Sequence, residues 1–176
     1  MFTKSESLLI CKHFEMVKLD IDAVFIASGT VVDKVGFIDE GVLRVVEHGA
    51  KKERIIHYFY EENHFCSESN GYYMNELSRF SLEAALPCTI FTISFEEMEM
   101  LANKIPTFEL MRTKVSEQSL VNIARAQEIP KKRNAQKRYE EFLRQYPSFA
   151  SKLKVYDVAS YLGITPNHLS TIRNKL

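Results

Sequence analysis

The last 22 residues, VYDVASYLGITPNHLSTIRNKL (155–176), read as two short helices around a tight turn. Val158, Ala159 and Leu162 fall on one face of the first helix, and Gly163 breaks it with the backbone freedom that a sharp turn needs. Thr165 stands at the N-cap of the second helix, with Pro166 in its first turn. Leu169 and Ile172 then make an i, i+3 apolar pair facing back toward the first helix. This is helix-turn-helix spacing, and Ala159 must be small because the two helices approach there. The outward residues of the second helix are Asn167, His168, Ser170, Thr171, Arg173 and Asn174, all hydrogen-bonding types that can read base edges or phosphates. Helical hairpins of this length also occur in proteins that never touch DNA, so the pattern needs a second signal.

Charge supplies it. The 176 residues carry 23 basic and 23 acidic side chains, but these are not evenly placed. Residues 131–176 hold 10 Lys+Arg against 3 Asp+Glu (+7), and residues 1–130 hold 13 against 20 (−7). A basic terminal segment beside an acidic remainder predicts two modules, one of which meets a polyanion.

Working toward the N-terminus, Pro147 ends an amphipathic helix predicted over Arg133–Tyr146, with Tyr139, Phe142 and Leu143 inward. Phe108 to Ile129 has no Gly or Pro and reads as one long helix. Its apolar positions include Phe108, Met111, Val115, Val121, Ile123 and Ala124 and are interrupted by Gln118, Ser119 and Asn122, so a helix covering a barrel and a dimer contact explain it equally. Ser94 with Glu97 is a capping box that opens a helix through Leu101 before Pro106.

From about residue 17 to 94 the chain reads as short strands. Ala23–Ala27 precedes a turn at Ser28-Gly29, and Arg54–Tyr60 is another strand. Val35–Ile38 and Val42–Val46 flank Asp39-Glu40-Gly41, which reads as a β-hairpin. After an irregular stretch at 67–75, strand character returns over Leu82–Ile93, interrupted at Pro87. This spacing predicts a β-sandwich or barrel.

With 45% hydrophobic residues, the chain can build a sizeable core. The longest unbroken apolar run, Ala23–Ala27, is far short of a membrane span. Lys12 and His13 end the apolar patch at residues 8–11 too early for a secretory signal. Cys11, Cys66 and Cys88 form no C-x-x-C pair and no disulfide framework, so a reducing, cytoplasmic compartment is expected.

A strand-rich unit, a long helix and a basic helix-turn-helix, in that order, resemble the Crp–Fnr family of bacterial transcription regulators. IASGTVVDKVGFIDEGVLRVV (26–46) looks like the family's barrel signature, in which two glycines twelve residues apart flank a Tyr-Phe-Ile-type strand. Here they are Gly29 and Gly41, around Gly36-Phe37-Ile38. ASYLGITPNHLSTIRNKL (159–176) is similar to the variant common in Bacteroidetes regulators. The resemblance implies an α+β chain that is not an enzyme. A double-stranded β-helix (jelly-roll) barrel of the cyclic-nucleotide-binding type would span residues 1–106. A connecting dimerisation helix over 107–129 and a helix-turn-helix unit over 130–176, without a β-wing, would follow. It also implies a homodimer on a near-palindromic operator in double-stranded DNA, and a contact with RNA polymerase. Asn167, His168 and Thr171 would contact bases, with Ser170 and Arg173 flanking them or on phosphate, Thr165 at the helix start, and Lys152, Lys154 and Lys175 adding salt-dependent affinity.

The effector pocket departs from the family. Members that bind cyclic nucleotides use a Gly-Glu step and, ten residues after that Glu, an Arg-Ser pair. Those positions here are Ser67-Glu68 and Ser78-Arg79. Glu68 is kept as a ribose acceptor, the phosphate arginine is replaced by Ser78, and Arg79 would point to the opposite face of an extended segment. Tight cAMP binding is therefore not expected, because the bidentate phosphate contact is lost. No cofactor is implied: three scattered cysteines do not hold an iron–sulfur cluster, and nothing singles out Cys66 or a histidine as a haem ligand.

Two other classes compete. A cupin-like metalloenzyme would use His57, Glu61 and His64, with His48 nearby, but it lacks the usual pair of histidines one residue apart. A signalling or interaction module would keep the fold and not bind specific DNA.

Overall fold

Our computed structural model describes residues 1–49, 53–68, 74, 76–131 and 134–175. The barrel comprises β1 (Glu15–Leu19), β2 (Val24–Ile26), β3 (Lys34–Glu40), β4 (Leu43–His48), β5 (Arg54–Tyr60), β6 (Phe65–Cys66), β7 (Ser81–Ala84) and β8 (Cys88–Ser94). They form two four-stranded antiparallel sheets in the orders β1-β8-β3-β6 and β2-β7-β4-β5, which is jelly-roll connectivity. Leu43, Val45, Leu82, Ile90 and Ile38 fill the space between the sheets.

The hairpin expected around Asp39-Glu40-Gly41 is not one. β3 pairs with β8 and β6, and β4 pairs with β5 and β7, so the turn carries the chain from one sheet to the other. Alternating apolar residues around a glycine describe a hairpin and an inter-sheet crossing equally well. What separates them is distant: a Cβ at Gly41 would collide with the Pro87 carbonyl and the Cys88 backbone, and the Val42 carbonyl accepts from Ala85 and Leu86. Gly41 also holds φ at +97°, a conformation open to glycine.

Helix α1 (Lys4–Cys11) precedes the barrel. Helix α2 (Phe95–Lys104) opens with the predicted capping box: Ser94 Oγ accepts from the Glu97 amide, and the Glu97 carboxylate accepts from the Ser94 amide. Helix α3 (Pro106–Glu128) follows after Ile105, and Leu101, Ile105 and Phe108 pack with Ile93 of β8. Helix α4 (Ala135–Gln145) starts two residues after the predicted Arg133, because the Asn134 side chain caps it by accepting from the Lys137 amide. Residues 132 and 133 lie outside the described residues.

Helices α5 (Val155–Leu162) and α6 (Pro166–Arg173) are joined by Gly163 at φ +63°, with Thr165 Oγ1 accepting from the His168 amide. They sit against the second sheet. Val46, Ile56 and Phe59 share one core with Phe142, Tyr146, Phe149, Tyr161 and Leu162. The Phe59 ring lies 5.5–6.1 Å from the rings of Phe142, Tyr146, Phe149 and Tyr161. β5 is an edge strand whose backbone is closed by α5: Ser160 Oγ accepts from the Ile56 amide (3.1 Å) and donates to the Arg54 carbonyl (2.8 Å). Among the described residues, no helix is long and apolar enough to cross a membrane.

Candidate nucleic-acid interface and barrel pocket

On α6, Leu169 and Ile172 are buried against α5 and the core, which leaves Asn167, His168, Ser170 and Thr171 exposed together on the opposite face. Thr165 is exposed at the helix start, where its hydroxyl serves as the cap. The hydroxyls of Ser170 and Thr171 donate to the Pro166 and Asn167 carbonyls, so each oxygen keeps a lone pair toward solvent. Arg173 differs from the outward placement expected of it. It is half-buried, its Nε donates to the Tyr139 hydroxyl (3.1 Å), and its guanidinium lies 5.5 Å from that ring centre. At the end of α6 the i+4 step from Leu169 brings it around toward α4, where a tyrosine ring attracts the cation.

Of the lysines, Lys152 and Lys175 are exposed and have no ion-pair partner among the described residues. Lys154 is held by Asp22 at 2.6 Å.

At the barrel, Ser67 and Glu68 follow directly on β6. The Ser67 hydroxyl donates to the Lys34 carbonyl and its carbonyl accepts from the Tyr60 hydroxyl, which in turn accepts from Tyr58. Burial pushes the Tyr58 phenol up to about 12 and raises Tyr60 well above its usual value, so both remain neutral donors. Glu68 is 4% exposed. Ser78 is buried and tied into the 27–30 turn, its amide donating to the Thr30 carbonyl and its carbonyl accepting from Gly29. Arg79 faces the other way: it is exposed, lies over Phe80, and pairs with Glu47 at 2.7 Å. That bond, with a second from His57, holds the Glu47 carboxyl below the usual range. Five of the residues between Glu68 and Met74 (69–73), together with residue 75, lie outside the described residues. A cleft of about 570 Å³ is found elsewhere, between β5, α3 and α4, lined by Tyr58, Tyr60, Ser119, Asn122 and Tyr146; neither Glu68 nor Ser78 lines it.

The residues of the metalloenzyme alternative do not converge. His57 pairs with Glu47, His48 with Glu83, and His64 with the Glu62 carbonyl, while Glu61 lies beyond the end of β5 and accepts from Ser148. No group of three metal-ligating side chains occurs among the described residues. Cys66 and Cys88 are buried free thiols raised by that burial, Cys88 to about 11, which opposes the thiolate a metal would need.

Sequence reasoning passed over Arg44. Its side chain is fully buried and meets Asp22 (2.6 Å), Glu83 (2.8 Å) and Asp157 (2.8 Å). The signal available was a single arginine inside the apolar run Val42–Val46.

No protein-family model and no curated protein matches the chain in sequence. Its fold is similar to that of FixK2 from Bradyrhizobium japonicum, with TM-score 0.77, 14% identity, and coverage of 93% of this chain and 84% of that one. It is similar to CLP, a c-di-GMP-responsive global regulator of Xanthomonas campestris, with TM-score 0.77, 10% identity, and coverage of 98% and 91%. It is also similar to a chain from Eubacterium rectale described as a Crp/Fnr-family transcriptional regulator, with TM-score 0.73, 13% identity, and coverage of 99% and 83%. A β-sandwich of the cyclic-nucleotide-binding kind, a long helix and C-terminal helices in this arrangement are the fold of the Crp/Fnr regulators.

Proposed function

We propose that the chain is a sequence-specific DNA-binding transcriptional regulator of the Crp–Fnr type, not an enzyme, with a barrel pocket that does not bind cAMP tightly. The observation that carries this reading is the exposed row Asn167, His168, Ser170 and Thr171 on α6, backed by buried Leu169 and Ile172, within a segment of net charge +7. Side chains of these types at the start of a second helix fit the major groove, and the surrounding lysines add phosphate affinity. Helices α5 and α6 are the helix-turn-helix. The wider boundaries are a barrel over 1–106, a connecting helix over 107–129 and a DNA-binding unit over 130–176. In this reading Arg173 holds the end of α6 instead of touching a base.

A homodimer through α3 is supported by its apolar side chains left in solvent, with Leu110 58%, Leu120 69% and Val121 45% exposed. Against cAMP stand Ser78, whose short hydroxyl lies within the turn, and Arg79, whose guanidinium is committed to Glu47 on the outer surface.

The test is selection of bound sequences from a random DNA pool at near-physiological salt, with and without cAMP. The expected result is a palindromic motif whose half-sites are about 34 Å apart, unchanged by cAMP. Asn167→Ala and Thr171→Ala should each weaken binding by about 1–3 kcal/mol and relax preference at one base pair. Absence of any motif would overturn the DNA reading in favour of an interaction module, and a motif sharpened by cAMP would overturn the pocket reading.

A further inference from the structure

The C-terminal helices are seated on the barrel by two different kinds of contact. One is the apolar core around Phe59. Such contact is non-directional, and by itself it tolerates sliding and rotation of one layer on the other. The other is a set of ion pairs around Arg44, which leaves β4 on the same face as Val46 and is fully buried. Its Nη1 donates to Asp157 in the first turn of α5, and its Nη2 donates to Glu83 on β7 and to Asp22 in the β1–β2 turn. A second pair crosses the same boundary, from Lys154 just before α5 to Asp22. Arg54 completes the set on Glu83 at 2.6 Å.

Three cations face three carboxylates here, so the cluster balances without help from His48, which reaches the other oxygen of Glu83. Burying such charges is costly compared with apolar packing of the same volume, and the best-attested gain is a fixed register. Asp157 lies in the first turn of α5, where the positive end of the helix dipole favours its carboxylate, so Arg44 holds α5 by the anion at its N-terminus. Glu83 lies on the four-residue strand that begins at Ser81, directly after the Ser78–Phe80 segment of the barrel pocket. A shift of that segment therefore reaches the cluster through one short strand.

We infer that Arg44 is an electrostatic latch: it sets the seat of α5 and α6 on the barrel by bridging Glu83 to Asp157, and it acts as a positioning residue for DNA binding. The second half of this statement rests on the DNA-binding reading above; the first half does not.

The full-length chain would be compared with Arg44→Met, Asp157→Asn and the double variant by hydrogen exchange, thermal unfolding and DNA binding. Asp157→Asn keeps an acceptor in place and preserves the fold if Arg44→Met does not. Arg44→Met leaves the buried Asp157 carboxylate without its cation, and Asp157→Asn leaves Arg44 with Glu83 and Asp22 but the cluster one positive charge in excess. The double change removes one cation and one anion and leaves Arg54–Glu83 and Lys154–Asp22 balanced.

With a latch, both single variants exchange faster over residues 155–173 while β1 and β8 keep their protection. The double variant regains thermal stability but not the slow exchange, and affinity for the selected site stays down roughly 3- to 30-fold. Wild-type exchange over 155–173 in the single variants would overturn the latch. So would recovery of stability, exchange and affinity together in the double variant, which is the behaviour of a merely structural ion pair. If the wild type selects no DNA site, the DNA-binding reading falls and the positioning half falls with it, while the exchange measurements still decide whether Arg44 sets the seat.

Discussion

At the scale of single residues, two backbone positions matter out of proportion to their size. Gly41 takes φ +97° where the chain crosses between sheets, and a Cβ there would meet the Pro87 carbonyl and the Cys88 backbone. Gly41→Ala should cost more than about 2 kcal/mol, since neither strain nor clash can relax without moving backbone. Chemical denaturation would register it as a lowered midpoint. Asp22 also holds a positive φ, +70°, and its carboxyl is pulled down to about 2 by Lys154 first and Arg44 second. Its folded-state value lies below its unfolded one, near 4, so its contribution is present above that pH and is lost as pH falls toward 2. Acid unfolding followed by circular dichroism should therefore be less steep in Asp22→Asn across that window. Asparagine tolerates the left-handed backbone, so the comparison isolates charge.

Elements were the most readable level, because their ends are marked by local chemistry. Ser94–Glu97, Thr165–Pro166 and Gly163 each act within one helical turn, and each stands where the spacing placed it. Thr165 tests the two roles open to it. As a cap, Thr165→Ala should destabilise by about 1 kcal/mol, which is about 2–4 °C for a chain of this size, and Thr165→Asn should restore it. Loss of DNA affinity in both variants would add a direct contact to the capping role. Where local signals failed, two structures shared one pattern. The Asp39–Gly41 turn serves an inter-sheet crossing with the residues of a hairpin, and Arg173, a charged residue expected outward, stands at the i+4 step from Leu169, where the Tyr139 hydroxyl accepts from it.

On the scale of the molecule, the change from acidic to basic composition suggests separate modules, yet the barrel and the C-terminal helices share a core. Phe59 touches four aromatic rings contributed by α4, α5 and the segment between them. Truncating it should cost about 3–5 kcal/mol and lower the stability of both parts together. Scanning calorimetry of the wild type should accordingly give one transition, and Phe59→Ala should shift it as a whole without splitting it.

What the sequence determined by itself was a strand-rich stretch followed by a run of helices, the capped pair at the C-terminus, and the likeness of residues 26–46 and 159–176 to one family of regulators. These depend on periods of two and 3.6 residues and on caps that act within a few positions. Only the tertiary structure decided which strands pair, where Arg173 turns, and that Arg44 meets carboxylates 22, 39 and 113 residues away. The physical reason is range. A side chain's periodicity is set by its own backbone, but the partner that satisfies a buried charge is chosen by whatever the folded chain brings within about 3 Å.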